Sequence, residues 1–146
     1  MPHGAAVIPQ ILHQSWKTTK IPAKLREFVS SWHRYHPTWE YRFWTDADCR
    51  ELVRLAEPSF MATYEAYKDP ILRADASRYL IMQVFGGVYA DLDFEALRDI
   101  SSLLANKALL FGQEPMVCNA FIASTPNHPF WNIMFSELRL RANNSD

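Results

Sequence analysis

Two aspartates one residue apart, Asp91 and Asp93, lie in the stretch "GGVYADLDFEA" at residues 86 to 96. The β-branched and aromatic residues ahead of them predict a strand, "VYADLD", and in an extended backbone residues i and i+2 point to the same side. Two carboxylates would then stand within ~7 Å of each other while Leu92 turns into the core. A hard divalent cation relieves their repulsion, and Mg2+ or Mn2+ held by one or two carboxylates completes its octahedron with waters and phosphate oxygens. The pair therefore points to the binding of a diphosphate. Spacing alone is weak evidence: eight aspartates in 146 residues predict roughly 0.4 D-x-D matches by chance, and the chain carries a second, "DAD", at 46 to 48. That second match lies where a helix begins and serves as N-cap and first-turn charge.

The helix ahead of the aspartates, "ILRADASRYLIMQVF" at 71 to 85, is apolar nearly all round, which marks it as buried, yet it carries Arg73, Asp75, Ser77 and Arg78. Asp75 and Arg78 at i, i+3 have the spacing of a plain helix ion pair. On a buried helix leading to two more carboxylates, a pair facing a ligand is an equal alternative, because isolated buried charges cost several kcal/mol each.

The elements that must position these groups alternate along the chain. A strand is expected at about Gln10 to Gln14, with Pro9 at its start or at a sheet edge. Pro22 opens a helical pattern with Leu25, Phe28, Val29 and Trp32 at i, i+3, i+4 and i+7. "EYRFWT" is a second strand, Thr45 or Asp46 caps the next helix, and Pro58 starts a short one carrying Phe60, Met61 and Tyr64 on one side. Pro70 begins the long helix and Gly86 stops it as a C-terminal glycine cap. "LRDISSLLAN" predicts a short helix, and "ALLFG" and "MVCNAFIAS" predict strands. The last helix, "NHPFWNIMFSELRLR", should bury Phe130, Ile133, Met134 and Leu138. Three or four strands alternating with helices make an α/β domain with a mostly parallel sheet covered on both faces. Such sheets bind ligands beyond the carboxyl ends of their strands. Asp91 and Asp93 stand at one such end.

Composition excludes several classes. With 49% hydrophobic and 14% aromatic residues the chain can bury a core as one domain, and a net charge of −1 without a basic stripe argues against nucleic acid as partner. The longest uncharged apolar run, Tyr79 to Ala90, is shorter than the ~20 residues of a spanning helix. The N-terminus lacks the basic region and apolar core of a secretory signal. Cys49 and Cys118 read as buried free thiols, "HRYH" at 33 to 36 lacks the glutamate of a zinc hydrolase motif, and the sequon at Asn143 matters only in the secretory pathway. A haloacid-dehalogenase-type phosphatase wants Thr or Val two places after the second aspartate, near the N-terminus, where this chain has Glu95 in mid-chain.

Four blocks, "IPQILHQSWKT", "HPTWEYRFWTD", "ILRADASRYLIMQVFGGVYADLD" and "NAFIASTPNHPFW", in this order and at these separations, resemble the DXD-motif sugar transferases. That family includes the fungal inositol-phosphorylceramide mannosyltransferases and the initiating α-1,6-mannosyltransferase of the Golgi. The block around "GGVYADLD" is also similar to the catalytic core of the large clostridial glucosylating toxins. The resemblance covers roughly residues 8 to 135. It implies a GT-A-type, Rossmann-like fold, a nucleotide-sugar donor, Mn2+ or Mg2+, and transfer of a hexose to a lipid or glycan acceptor with retention of anomeric configuration. GDP-mannose is favoured as donor, with UDP-sugars as the alternative.

Residue by residue, the resemblance makes Asp93 the direct metal ligand, and Asp91 the aspartate that meets the donor's ribose or sugar and the metal shell. Asp75 would hold sugar hydroxyls, and Arg78 would reach the sugar or diphosphate with its planar fork. Trp16 stands where a family aromatic stacks on the nucleobase; a core tryptophan is its other reading. Asn119 is carried over as a donor-site amide, against a hydrogen-bonded strand residue. The family continues beyond the equivalent of Asp146 into an acceptor region, so the whole chain, 1–146, is expected to be a single donor-binding domain whose acceptor part lies outside it. The rival is a non-catalytic nucleotide-sugar-binding fragment or a degenerate transferase. By resemblance the compartment is the Golgi lumen or membrane if the chain is part of a longer protein, and the cytoplasm if it is complete.

Overall fold

A computed structural model describes residues 6–113 and 115–144. Its centre is a five-stranded sheet of β1 (Ile11–Ser15), β2 (Glu40–Trp44), β3 (Gly87–Ala90), β4 (Leu109–Gln113) and β5 (Val117–Ser124), in the order β2-β1-β3-β5-β4. β1 pairs in parallel with both β2 and β3, while β5 runs antiparallel to its neighbours β3 and β4. Four of the five strands therefore point the same way, and each of the five lies on a stretch that the sequence marks as a strand. β4 and β5 join as an antiparallel ladder without an intervening helix, so the alternation of strand and helix expected along the chain stops at this pair.

Both faces are covered. On one, Leu12, Val88, Ala90 and Ala123 pack with Trp32 of helix α1 (Arg26–Tyr35) and with Leu104 of the single-turn helix α5 (Ser101–Leu104). On the other, Tyr89 and Ile122 pack with α2 (Asp46–Ala56), α4 (Pro70–Phe85) and α6 (Pro129–Asn144), through Leu52, Leu80, Ile81 and Trp131. Phe60 and Tyr64, from the 3-10 turn at 58–60 and from α3 (Met61–Ala66), close that core. The alternation along β3, with Val88 and Ala90 to one side and Tyr89 to the other, is what a strand buried on both faces requires.

Helix ends follow local chemistry. Thr45 and Asp48 form a reciprocal capping box on α2, so "DAD" serves the helix start. Asp69 caps α4 with Pro70 in its first turn, and Gly86, at φ 65°, ends it. Gly87, at φ 100°, begins β3 at once. A Cβ on Gly86 would lie 2.6 Å from Pro126 N, and one on Gly87 would lie 2.7 Å from Ile11 O, so only glycine fits either place.

Several expectations are corrected. β3 ends at Ala90, and the expected extension through Asp93 is instead a turn in which Phe94 N donates to Asp91 O at 3.0 Å. The helix expected over 97 to 106 spans only Ser101–Leu104. α6 buries Trp131 and Phe135, whereas Ile133 is 67% exposed, because the buried stripe passes through 131 and 135 rather than 133. α4 is buried over its middle turns, but Ile71 and Leu72 in its first turn and Val84 near its end are exposed. Cys49 is buried and free, while Cys118 is free and only half-buried.

Candidate functional site

Asp91 is the first residue after β3, at the edge of the sheet where the parallel strands end. Its N–H donates to Ala120 O of β5 at 2.8 Å, which fixes the point where the chain leaves the sheet. Its carboxylate is half-buried, and two groups meet the same oxygen: Arg78 Nη2 at 3.2 Å and the Tyr89 hydroxyl, donating at 3.1 Å. Burial raises the Asp91 carboxyl above the ordinary range, the Arg78 charge and the Tyr89 hydrogen bond oppose that, and the charges of Asp93 and Asp75 add to it. Oδ1 is thus occupied by the protein, while among the described residues Oδ2 has no such partner.

Arg78, on α4, is the hub. Its guanidinium lies over the Tyr89 ring at 4.6 Å, and Nη1 donates to Asn119 O at 2.8 Å and, more weakly, to Asn119 Oδ1 at 3.3 Å. Nε is 3.9 Å from Asp75 Oδ1, and it is a buried nitrogen without a hydrogen-bond acceptor among the described residues. The i, i+3 pair expected between Asp75 and Arg78 is therefore the loosest contact of the set. Asp75 instead accepts from Asn119 Nδ2 at 3.0 Å, and the same amide nitrogen donates to the Tyr79 hydroxyl at 2.9 Å. β3, α4 and β5 thus bring Asp91, Arg78, Asp75 and Asn119 together from positions far apart in the chain.

Trp16 follows β1 as Asp91 follows β3, and these strands are parallel neighbours. It is half-buried, its N–H donates to Trp44 O at 3.0 Å, and Lys17 Nζ sits 5.8 Å from its ring. The cross-strand contact between Ser15 Oγ and the Tyr89 hydroxyl, at 2.8 Å, ties the two strand ends together. Asp93 is exposed, two residues into the turn, and Leu92 between the aspartates is buried as expected.

Among the described residues no group of three or more His, Cys, Asp or Glu is placed to hold a metal ion. Two carboxylates on a turn, one half-buried and braced and one exposed, still fit a divalent cation that keeps its remaining positions for waters and phosphate oxygens. They do not fit an all-protein cage. The site also contains groups that motif reading passes over. Tyr89 fixes the Asp91 carboxylate, and Gln14, fully buried, faces the carbonyls of Ala90 and Asp91. The signal for Gln14 was present: "HQ" in the middle of a strand covered on both faces places two polar side chains where apolar ones belong.

The family described as "Glycosyltransferase sugar-binding region containing DXD motif" matches residues 22–110. The chain belongs to this family. The matched span holds Asp75, Arg78, Asp91 and Asp93, while Trp16 and Asn119 lie outside it. Among curated proteins, the chain is 41% identical over 131 residues to a mannosyl phosphorylinositol ceramide synthase of Saccharomyces cerevisiae, covering 89% of this chain and 34% of that protein. It is 34% identical over 140 residues to inositol phosphoceramide mannosyltransferase 2 of Schizosaccharomyces pombe, covering 95% of this chain and 41% of that one. It spans 34% to 41% of the length of these relatives. The solved PaToxG glycosyltransferase shares the fold with a TM-score of 0.70 at 21% identity, over 94% of this chain and 61% of that one. The mixed sheet with helices on both faces is a GT-A-type fold.

Proposed function

We propose that the chain, 1–146, is the donor-binding domain of a metal-dependent, retaining glycosyltransferase that moves a hexose, mannose in our reading, from a nucleotide sugar to a lipid or glycan acceptor. The observation that carries this is the gathering of Asp91, Arg78, Asp75 and Asn119 at the carboxyl edge of the sheet, beside the exposed carboxylate of Asp93. The mannosyltransferase names of the relatives favour mannose as the sugar and an inositol-phosphoceramide-like lipid as acceptor. The family resemblance favours GDP-mannose as donor and, for a chain that is part of a longer protein, the Golgi lumen or membrane as the compartment. The acceptor side is assigned to sequence that the relatives carry beyond the aligned third.

In this reading Asp93 and the free oxygen of Asp91 would hold Mn2+ or Mg2+. Bound there, the cation supplies Lewis-acid stabilisation of the negative charge that gathers on the leaving diphosphate. Arg78 has its fork already oriented by Asp91 and Asn119, and its cationic charge would offset the same developing anion. Asp75 accepts hydrogen bonds from sugar hydroxyls and is a positioning group, not a base. Asn119 holds Asp75 in place and offers its amide to the donor. Trp16, beyond the end of the neighbouring strand, offers its ring face to the nucleobase. No side chain is assigned as a covalent nucleophile.

Calorimetric titration of GDP-mannose, UDP-glucose, UDP-galactose and UDP-N-acetylglucosamine, each with Mn2+ and with chelator, tests the reading. Metal-dependent binding of GDP-mannose in preference to the others supports it, and no binding of any donor in Mn2+ overturns it. Turnover measured on this chain and on one extended to the relatives' length separates an enzyme from a binding module.

A further inference from the structure

The carboxylates of the turn are useful only if the chain leaves β3 at a fixed point and in a fixed direction. On the β5 side this is secured by the main chain, since Asp91 N donates to Ala120 O. On the β1 side the recorded ladder ends one step earlier, at His13 opposite Tyr89. Beyond it, a side chain takes over: Gln14 Nε2 lies 3.2 Å from Ala90 O and 3.4 Å from Asp91 O, two successive carbonyls at the break. Gln14 Oε1 in turn accepts from the Tyr41 hydroxyl, on β2, at 3.0 Å. The amide is fully buried, and a buried amide of this kind is retained only where its donors and acceptor are all used.

We propose that Gln14, oriented by Tyr41, is a positioning residue that sets where β3 breaks into the Asp91–Phe94 turn and so aims Asp91 and Asp93. The proposal rests on the donor-site reading above and adds to it a residue that touches neither metal nor donor. Strands β2, β1 and β3 are thereby linked in one chain of side-chain bonds, Tyr41 to Gln14 to the turn. Braces behind metal ligands typically change metal affinity 10–100-fold when lost, because a ligand displaced by a fraction of an ångström no longer meets the ion.

Gln14→Met keeps the length and apolar bulk of the side chain and removes its donor and acceptor. The expected result is a tenfold or greater loss of GDP affinity in Mn2+, together with faster hydrogen exchange at the amides of Asp91 and Phe94 than at those of Val88 and Ile122. Unchanged exchange in the turn with unchanged affinity overturns the proposal. Acceleration spread evenly over β1 and β3 also overturns it, since that is lost strand stability rather than a loosened turn. Should Gln14→Met fail to fold, Tyr41→Phe removes only the hydroxyl that orients Gln14. It should then show a smaller change of the same sign in both measurements, and no change in either overturns the proposal. If the unsubstituted chain binds neither GDP nor UDP with Mn2+, the donor-site reading fails, and the exchange pattern alone decides the role of Gln14; if it binds UDP only, UDP replaces GDP in the affinity measurement.

Discussion

Arg78 Nη2 stands 3.2 Å from Asp91 Oδ1, closer than Arg78 Nε stands to Asp75, its neighbour one turn earlier on the same helix. The guanidinium therefore serves the strand end rather than its own helix, and Asp75 is free to bind elsewhere. Its partner is the Asn119 amide, which a ligand hydroxyl can replace or join.

From that freedom follows a difference between two ligands. Asp75→Ala should weaken binding of the nucleotide sugar about tenfold more than binding of the free nucleoside diphosphate, because the lost contacts are to the sugar. Titration of both ligands against the variant checks it; equal losses would make Asp75 structural.

Asp93 is exposed, with its side chain outside the core, so its replacement should spare the fold. Asp93→Asn is expected to abolish the Mn2+ dependence of donor binding while leaving the unfolding midpoint unchanged. Persistence of Mn2+ dependence in this variant would remove Asp93 from the metal site.

Trp16→Ala separates stacking from packing. Loss of a base stack worth roughly 1 to 3 kcal/mol weakens nucleoside diphosphate binding about tenfold or more with little change in stability. Loss of a core tryptophan would cost ~3 to 5 kcal/mol of folding free energy instead. The half-buried position of Trp16 at the strand end favours the first outcome. Affinity and unfolding midpoint, measured on the one variant, decide between them.

His13 gives the fold a pH dependence of definite sign. It is fully buried; Trp44 Nε1 donates to its Nδ1 at 3.1 Å, so Nε2 carries the proton and donates to Gly86 O at 2.9 Å. Burial lowers its pKa from 6.5 to about 4. Between those values the unfolded chain binds a proton that the folded chain refuses. This contribution is therefore fully present above about pH 6.5 and is lost as pH falls toward 4, by up to ~1.4 kcal/mol per pH unit. Urea unfolding at pH 7, 5.5 and 4.5 should show the decline, and His13→Gln should flatten it over that range. An identical slope in the variant would assign the effect to other groups.

Much of this was legible in the sequence where single residues dictate local geometry. Pro70 and Gly86 bounded the helix, a cap at Thr45 or Asp46 explained the second D-x-D, and the ordered blocks named the family. The turn at Asp91 was not legible, because period-two patterning runs on through "VYADLD" and nothing local marks where a ladder loses its partner. Gln14 and Tyr89 were passed over for a related reason. Their roles exist only once β1 and β3 lie side by side, a contact across more than seventy residues. Asn119 was nameable, but that it grips Asp75 and Arg78 at once depended on β5 turning antiparallel beside β3.

The joint at Gly86 and Gly87 bears on how this protein can change over generations. Arg78 and Asp91 sit on opposite sides of that joint, and any side chain there would strike Pro126 or Ile11. Single-nucleotide drift at either codon is therefore closed, and lengthening the joint by one residue would rotate the helix away from the strand that carries its partner. Divergence is then left to exposed places such as Ile71, Leu72, Met116 and Val117, while the relative placement of guanidinium and carboxylate is inherited as one unit.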